Sequence, residues 1–487
     1  QLSVFRGGFT PESAVEVLDL TAFAVAPLRL EVVAALHRKS LLTHTVAPEL
    51  PDELRLGMLE SVHEFAGQKL EALGAVGATR SRHAAHVLAL GQRCLEKLGT
   101  ERTEEAMNAL FVERQNLTEV FERALSTLPP TKESAHAALR ALNVLEPVIV
   151  RTGPYASHLA LLDDAIRVGR SVGIDAETLA IGLQQRGNAW RVRGRLTQAV
   201  EELTQSLVLA RTTPGPSGAE GTNGSLLARV LTDLAVARFV SGTIDLALEG
   251  LEEALSVARA AGDKATMIET LAYMGIVRVA RHEPTEAIMH CDEALPLARE
   301  RGDRLNEARI LGTMGSIFQD QGRLELAHAF LKDAVQRCRA IREVRLQGYF
   351  LGKLSHLQVE RGELSRAHAT LQESLGLLSD VGDVRHEGLF LTYLASLEAL
   401  NGKADAARTA LGSAKVRLES VKDPLLLTAH ALRSMFVELK AANASRTEAQ
   451  ALLDDVKAPR GNRRARVDQS EEVRLAARML ERTLRAP

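Results

Sequence analysis

Small residues recur along most of this chain at a constant interval. A turn position is occupied by Gly242, His282, Gly322, Gly362 and Gly402, and an alanine follows each of these residues after five positions. Seven positions further on, another small residue follows, at Ala254, Ala294, Ala334, Ser374 and Ala414. Little side-chain volume then separates two antiparallel helices, so they can approach closely. The pattern therefore predicts a helix pair in each unit.

A second landmark marks the junction between successive units. Gly-Asp pairs occur at Gly262, Gly302 and Gly382. Glycine readily adopts the left-handed conformation that ends a helix, and aspartate can cap the first turn of the next helix. Periods of about 40 residues are typical of helical solenoids, in which each unit buries its apolar face against its neighbours. The sequence therefore predicts a right-handed α-solenoid, and its small-residue pattern resembles the tetratricopeptide repeat.

The repeats are predicted to extend over residues 131–456, in six to eight units. Backwards, the turn position matches Gly194 and, more weakly, Gly153; forwards, it matches Ala442. The interval from Gly194 to the next turn position is longer than the others, because a loop rich in proline and glycine is inserted at residues 212–225. Degraded patterns in the terminal units are expected, since they cap the array.

Composition agrees with a soluble helical protein and limits its partners. Of the 487 residues, 46% are hydrophobic, 25% are charged and only 3% are aromatic. Strands would need more β-branched and aromatic residues, so the predicted class is all-α. A net charge of −2 gives no overall attraction to nucleic acid or to an anionic membrane. No apolar run approaches the roughly 20 residues that span a bilayer, and the N-terminus lacks a signal peptide's pattern. We predict a cytoplasmic protein.

Residues that could support catalysis or metal binding do not form a familiar pattern. Cys94, Cys291 and Cys338 are odd in number and far apart, so a disulfide framework or a zinc site is not expected. No nucleophile motif such as GxSxG occurs. We therefore predict no catalysis, no metal and no cofactor in this chain.

Residues 1–75 do not follow the repeat, and their pattern predicts a winged-helix-like domain. Two short helices, two strands joined by a proline-containing loop and a longer helix are predicted at Pro11–Asp19, Leu28–Arg38, Leu41–Val46, Leu54–Met58 and Glu60–Leu73. Residues 76–130 are predicted to form a helical connector to the repeats. Helices followed by a hairpin wing are the order of elements in a winged helix.

Five motifs carry a resemblance to a known family. They are VFRGGFTPESA (Val4 to Ala14), LHRKSLL (Leu36 to Leu42), MLESVHEFAGQKLEALG (Met58 to Gly74), RHAAHVLAL (Arg82 to Leu90) and ERQNLTEVFERAL (Glu113 to Leu125). Together they resemble the segment that joins the nucleotide-binding module to the helical repeats in bacterial STAND ATPases, the signal-transduction ATPases with numerous domains. That family includes large transcriptional activators and relatives fused to protein kinases. The resemblance implies a sensing arm that acts with a nucleotide-binding module in cis.

The elements that such an ATPase needs for nucleotide hydrolysis do not occur in this sequence. It has no GxxxxGKS/T loop to cradle phosphates and no strand ending in an acidic Walker B pair. In relatives these elements lie upstream of the winged helix. We therefore expect this sequence, which begins at Gln1, to be a fragment of a longer ATPase, or else a protein that has lost its nucleotide-binding module. Many members end the wing with Met-His-Asp, whose histidine approaches the ADP phosphate. Here Met58, Leu59 and Glu60 stand at those positions, and leucine cannot donate to a phosphate.

DNA binding by the winged helix is an alternative function. A DNA-reading domain presents several basic side chains to phosphates. The candidate helix offers Arg29, His37, Arg38 and Lys39, but the wing carries three acidic residues against Arg55 alone. Packing against a nucleotide-binding module is therefore favoured over DNA binding.

Residues 457–487 are predicted to form a basic linker and a terminal helix. The basic residues are Lys457, Arg460, Arg463, Arg464 and Arg466, and a helical pattern resumes from Glu471 to Leu484. The linker is either a solvated segment or a patch for an acidic partner or nucleic acid.

The predicted binding surface is the concave side of the solenoid. In tetratricopeptide-like arrays the first helix of each pair lines that side. Transferred to this sequence, that geometry gives six candidates for contact with a peptide or protein: Arg309, Gln319, Asp320, Tyr349, His356 and Glu360. The alternative is that these side chains are simply solvated. Two functions follow: a sensor and scaffold arm that binds a protein or effector in the groove, or a DNA-associated transcriptional regulator whose solenoid binds the inducer.

Overall fold

The computed structural model describes residues 1–22, 27–152, 155–213, 223–421, 423–457 and 471–485, and nearly all of them are α-helical. They form two compact units. The first comprises residues 1–150 and 160–182, and the second comprises residues 151–159 and 183–487. The predicted all-α class is confirmed.

The first unit begins with short elements and continues with long helices. Its elements are a 3₁₀-helix (Leu2–Val4), α1 (Pro11–Val17), α2 (Arg29–Arg38), β1 (Thr43–Thr45), β2 (Arg55–Gly57), α3 (Glu60–Ala72), α4 (Val76–Lys97), α5 (Thr103–Leu125), α6 (Lys132–Thr152), α7 (Tyr155–Val172) and α8 (Ala176–Val192). Helices α6, α7 and α8 each contribute residues to both units.

The short helices and strands predicted at the N-terminal end of the chain are present with shorter bounds. β1 and β2 pair antiparallel, with Thr43 opposite Gly57, and Phe9 forms a further bridge to Leu56. Apolar residues from the 3₁₀-helix, α1, α2, β2 and α3 share one core. This order of elements is compatible with a winged helix, and that assignment stays a prediction.

Arg55, the one arginine of the predicted wing, is buried. Its Nη2 donates to Glu113 Oε1 on α5 at 2.8 Å and to the Gly8 carbonyl at 3.2 Å. Only 3% of the Arg55 side chain is exposed. An arginine held in this way cannot reach a phosphate backbone, so the DNA-binding alternative loses the basic contact that the wing offered.

Successive antiparallel helix pairs build the second unit. After α8 the helices are α9 (Leu196–Thr212), α10 (Gly224–Val240), α11 (Ile244–Ala261), α12 (Lys264–Ala280), α13 (Pro284–Arg301), α14 (Arg304–Asp320), α15 (Leu324–Ala340), α16 (Val344–Glu360), α17 (Leu364–Val381), α18 (Val384–Leu400), α19 (Ala404–Val421), α20 (Pro424–Lys440), α21 (Arg446–Lys457) and α22 (Glu471–Arg485). The even-numbered helices from α10 to α20 are the first helices of the pairs, and they contact one another along one side of the stack. Residues 214–222 of the predicted insertion and 458–470 of the predicted linker lie outside the described residues.

The local signals that set the period behave as predicted. All five turn positions have a positive φ, between 61° at His282 and 85° at the first of the glycines. At each Gly-Asp junction the glycine also has a positive φ and the aspartate caps the next helix. In the unit between Gly322 and Gly362, which lacks this dipeptide, Arg342 takes a φ of 53° and Glu343 caps α16. Ala442, with a φ of 57°, continues the series, whereas Gly153 lies outside the described residues.

First helices of consecutive pairs pack through a repeated glycine–phenylalanine contact. A Cβ atom added at Gly312 in α14 would lie 2.1 Å from the Phe350 ring in α16. One added at Gly352 in α16 would lie 2.3 Å from the Phe390 ring in α18. Only a glycine hydrogen fits at such a distance. The two contacts are one period apart, and they set the distance between the first helices of successive pairs on the inner side of the stack.

The stack closes on itself within the second unit. A Cβ atom added at Gly194, in the turn after α8, would lie 2.6 Å from Val421 Cγ1 at the end of α19. The first helices therefore surround a central space instead of lining an open trough.

Helix α22 packs along α20 on this inner side. Val473, Ala476 and Leu480 are buried in a core that they share with Leu432 and Phe436 of α20. Because the apolar face of α22 is fixed there, its charged side chains reach helices that are far away in sequence.

Candidate functional site

A cavity of about 260 Å³ lies at the centre of the second unit. Its wall is formed by the first helices α10, α12, α14, α16, α18 and α20, with the ends of α8 and α22. The polar and aromatic residues of this central cavity include Arg191, Tyr273, Arg309, Arg345, Tyr349, Asp383, Arg385, His386 and Glu472. Apolar side chains fill much of the remaining wall, among them Val236, Ile276, Val279, Leu346 and Phe350.

Arg309 projects from α14 and is held on two sides. Its guanidinium carbon lies 4.6 Å from the centroid of the Tyr273 ring in α12. Its Nη1 donates to Asn306 Oδ1 at 2.5 Å and lies 3.5 Å from Glu269 Oε1. Stacking on the ring and the two polar contacts fix the guanidinium plane at the cavity wall.

Two further arginines tie consecutive repeats together. Arg345 Nη1 lies 3.4 Å from Asp383 Oδ2, and Arg385 Nη2 donates to Asp423 Oδ2 at 3.0 Å. Each arginine is the second residue of its helix, and each aspartate caps the first helix of the next pair. The same contacts thus join neighbouring pairs and fix cationic groups at the wall.

Asp383 accepts hydrogen bonds from several groups at once. The His386 backbone N–H lies 3.1 Å from Oδ1, and His386 Nδ1 lies 2.8 Å from Oδ2. Burial alone would raise the pKa of Asp383, but His386 and Arg345 outweigh that cost and hold the pKa well below its ordinary value. The carboxylate is therefore ionised at neutral pH, and it does not serve as a general acid.

Aromatic rings form an adjoining part of the wall. The Tyr349 centroid lies 4.9 Å from that of His386 and 5.5 Å from that of Phe350, with interplanar angles of 66° and 61°. Edge-to-face contacts of this kind are favourable for aromatic pairs. They hold Tyr349 in a defined orientation beside the arginines.

The structure places the six residues predicted from the sequence on the inner side, in two groups. Arg309 and Tyr349 line the central cavity. In the second group, Gln319 Nε2 is within hydrogen-bond distance of His356 Nδ1, at 3.0 Å, and of Glu360 Oε2, at 2.9 Å. Only the first pair therefore meets at the central cavity.

Helix α22 covers part of the predicted surface. Asp320 Oδ1 accepts a hydrogen bond from Arg478 Nη2 at 2.9 Å. Gln319 and His356 are each only 6% exposed, and Met479 of α22 lies at the small gap beside His356. The sequence predicts open, groove-facing side chains at Asp320 and His356, and the structure differs because α22 is docked against them.

His356 is a packed, neutral group. Burial lowers the pKa of His356 well below its usual value, and the positive charges of Arg433, Lys353 and Arg478 lower it further. Its ring centroid lies 5.0 Å from that of Tyr393. An imidazole that stays neutral among cations supports packing here, not proton transfer.

Several residues that define the central cavity were missed by the sequence prediction. They are Tyr273, Arg345, Arg385 and His386. The period offered a signal for two of them, because Arg345 and Arg385 are one period apart and each is followed by an acidic cap 38 positions later.

The described part of the chain contains neither a cluster of metal-ligating side chains nor a membrane-spanning helix. Within it, no three His, Cys, Asp or Glu side chains are grouped so that they could hold a metal ion. Cys94, Cys291 and Cys338 are buried free thiols. None of the helices described is both long enough and apolar enough to cross a bilayer.

The repeated helix pairs, their small-residue packing and their inner cavity define a tetratricopeptide-like superhelix. In agreement, residues 266–340 match the family model for the tetratricopeptide repeat. No curated protein sequence matches this chain.

Solved structures share the fold at low sequence identity. A Rap protein complexed with competence and sporulation factor is similar with a TM-score of 0.54 and 12% identity, over 76% of this chain and 98% of that one. A STAND protein with a tetratricopeptide repeat sensor from Pyrococcus horikoshii is similar with a TM-score of 0.50 and 13% identity, over 93% of this chain. The similarity spans 60% of the length of that STAND protein. At these identities the likeness is one of fold.

Proposed function

We propose that this chain is a ligand-sensing arm that binds a peptide or protein segment at the central cavity of its superhelix. The cavity is the observation that carries the proposal. Binding sites for compact ligands are concave and mostly apolar, with a few polar groups in fixed positions. The central cavity combines these properties, since Arg309 and Tyr349 are both held by neighbours at its wall.

The size of the central cavity limits what it can hold. Sites for drug-sized ligands enclose roughly 300–1,000 Å³, and this cavity encloses about 260 Å³. One or two side chains of a peptide fit that volume, whereas an extended segment does not. The remainder of a longer ligand would lie outside the cavity.

We assign no catalytic step to the site. A covalent or acid–base mechanism needs a nucleophile or acid placed against a suitable base. Thr313 Oγ1 at the wall donates to the Arg309 carbonyl at 3.0 Å instead of to a base. Asp383 is engaged by His386 and Arg345, which suits a structural carboxylate.

As the wider context, we propose a nucleotide-binding module in cis, in a signalling ATPase or a large regulator. The five motifs that precede the repeats support this, as does the fold shared with a STAND protein that carries a tetratricopeptide repeat sensor. The Rap protein in complex with competence and sporulation factor is a second protein of similar fold with a bound partner. A DNA-associated regulator is the alternative, and the burial of Arg55 weighs against a DNA-reading wing.

Selection of peptides from a random phage-displayed library would test the sensing function. Enriched peptides are synthesised and titrated into the full chain by calorimetry. We expect Tyr349→Ala and Arg309→Ala each to weaken binding by at least about tenfold, because a well-packed contact contributes about 1.4 kcal/mol or more.

Arg366→Ala is the matched control for those variants. Arg366 lies on α17, is 79% exposed and pairs with Glu363 away from the cavity, so its removal is expected to leave affinity unchanged. If no peptide is enriched, or if every enriched peptide binds the cavity variants as tightly as the wild type, the proposal is wrong.

The DNA alternative has its own measurement. Gel-shift titrations with duplex DNA at several salt concentrations should show no retention at physiological salt. Retention with a steep salt dependence would instead favour the regulator, because binding to phosphates releases counterions.

A further inference from the structure

Cationic groups predominate on the wall of the central cavity. The charged lining residues are Arg191, Arg309, Arg345, Arg385, Asp383 and Glu472. Both carboxylates are paired, since His386 and Arg345 contact Asp383, and Lys353 Nζ lies 3.7 Å from Glu472 Oε1. Arg309 and Arg385 contact carboxylates outside the lining, Glu269 and Asp423. An excess of cationic groups attracts an anion more strongly in an enclosed, poorly polarisable space than in water.

Arg309 and Arg385 use only part of their donor groups in the contacts that fix them at the wall. Asn306 and Glu269 both contact the same nitrogen of Arg309, Nη1. Arg385 Nη2 donates to Asp423 Oδ2 and Nη1 lies 3.4 Å from His386 Nε2, whereas the buried Nε has no hydrogen-bond partner among the described residues. A guanidinium carries five N–H donors in a rigid fork that matches a carboxylate or a similar acid group. The guanidinium groups that line the cavity therefore have positions that are already fixed.

A carboxylate from within the chain already reaches this wall. Glu472, the second residue of α22, approaches Lys353, whose side chain is only 1% exposed. The second oxygen of Glu472, Oε2, is buried without a hydrogen bond within the described part of the chain. An acid group is thus accommodated at the edge of the cavity.

Apolar and aromatic surface lies directly beside the arginine donors. The Tyr273 ring stacks under Arg309, and the Tyr349 ring stands edge-on to His386. Phe350 and Leu346 continue this surface along α16. A ligand that carries an acid group next to a flat apolar body satisfies both parts of the wall.

We propose that the central cavity selects an organic anion whose single acid group is attached to a compact apolar or aromatic body. This inference rests on the proposed function and adds the charge and shape of the part of the ligand that enters the cavity. A peptide meets the requirement with an aromatic residue next to a carboxylate.

Two fluorescent probes separate charge from shape. Anilinonaphthalene sulfonate and phenylnaphthylamine share one aromatic body, and only the first carries an acid group. We expect the wild-type chain to bind one equivalent of the sulfonate at least about tenfold more tightly than the neutral probe, as charge-assisted hydrogen bonds predict.

Arginine variants test where that preference arises. Arg345→Met and Arg385→Met should each reduce the preference for the sulfonate by about tenfold and leave the affinity for the neutral probe unchanged. Arg361→Met is the matched control, because Arg361 pairs with Glu325 and Glu363 away from the cavity and should keep the full preference. Thermal melts check that each variant is folded.

The outcomes separate this inference from the proposed function. Equal affinity for the two probes overturns the charge selection and leaves the cavity as a ligand site. Absence of binding by either probe counts against the cavity itself and therefore against both proposals. An equal loss of both probes in Arg345→Met also overturns the selection, because the arginine then only supports the wall.

Competition identifies the source of the acid group. Acetyl-phenylalanine with a free carboxylate, its amide, and the amide of acetyl-glutamyl-phenylalanine are added against bound sulfonate probe. Displacement by the first compound alone assigns a chain terminus, and displacement by the third assigns an acidic side chain. Displacement by the uncharged amide at the same concentration would overturn the proposal.

Discussion

The contact between Gly352 and Phe390 provides a quantitative test of how the inner side is packed. In Gly352→Ala, the new Cβ atom would lie 2.3, 2.4 and 2.5 Å from three atoms of the Phe390 ring. Unforced contacts of this kind are longer than 3.0 Å. Phe390 is fully buried, so its ring cannot move without displacing other core residues.

A matched glycine isolates the packing cost. Gly376 lies inside α17, and a Cβ atom there would meet nothing within 4 Å. Both substitutions gain the same helix propensity, about 1 kcal/mol for alanine over glycine. Overpacking of a core costs about 1–3 kcal/mol, and three short contacts place Gly352→Ala at the upper end of that range. We therefore expect Gly352→Ala to be about 2 kcal/mol less stable than the wild type and Gly376→Ala to be up to about 1 kcal/mol more stable.

Urea unfolding followed by circular dichroism measures both variants against the wild type. The difference between them, about 3 kcal/mol, reports the steric cost because the propensity gain cancels. If Gly352→Ala is as stable as Gly376→Ala, the close approach of α16 and α18 is not present in solution. The layer spacing that shapes the central cavity would then be wrong as well.

Two further substitutions test other parts of the chain. Asp320→Asn should make the backbone amides of α22 exchange hydrogen with solvent about two- to fivefold faster, because half-buried ion pairs contribute up to about 1 kcal/mol. Asp333→Asn is the control, because the partner of Asp333 is Arg337 in its own helix. Equal exchange rates in both variants would contradict the docking of α22 through Asp320. In the first unit, burial and Arg123 lower the pKa of His83 to about 3, so the unfolded state takes up a proton first as the pH falls below 6.5. Protonation of His83 in the unfolded state should therefore cost the unit about 1.4 kcal/mol between pH 7.5 and 5.5. His83→Leu should remove that part of the pH dependence, whereas His86, whose pKa burial also lowers, leaves a remainder. A wild type whose urea midpoint does not change with pH would show that His83 is accessible.

The repeat could be predicted from the sequence because its signals are local. Gly262 ends one helix through its own backbone conformation, and Asp263 caps the next through a bond to Thr266, less than one helical turn away. Each signal acts over a short stretch of chain and recurs once per unit. The fold class and the turn positions therefore follow without knowledge of how the units stack.

The central cavity could not be predicted in the same way, because it depends on closure of the stack. Arg191 and Glu472 line one space although almost the whole second unit separates them in the sequence. That proximity follows from a small rotation at every repeat, which no single unit encodes. The prediction placed Arg309 and Tyr349 on the inner side because the inner side of each first helix is a local property. It missed α22, which docks at Asp320 and beside His356.

The residues that hold the central cavity also hold the repeats, which explains why the site left no separate signal in the sequence. Asp383 caps α18 through the His386 amide and accepts a contact from Arg345 of the preceding pair. Asp423, at the equivalent position of the next pair, likewise caps α20 through the Leu426 amide and accepts a hydrogen bond from Arg385. An acidic residue at each of these positions therefore looks like an ordinary helix cap. Only the arginine that approaches it from the preceding repeat, visible in three dimensions, shows that this row of caps also fixes cationic groups at the wall of the proposed ligand site.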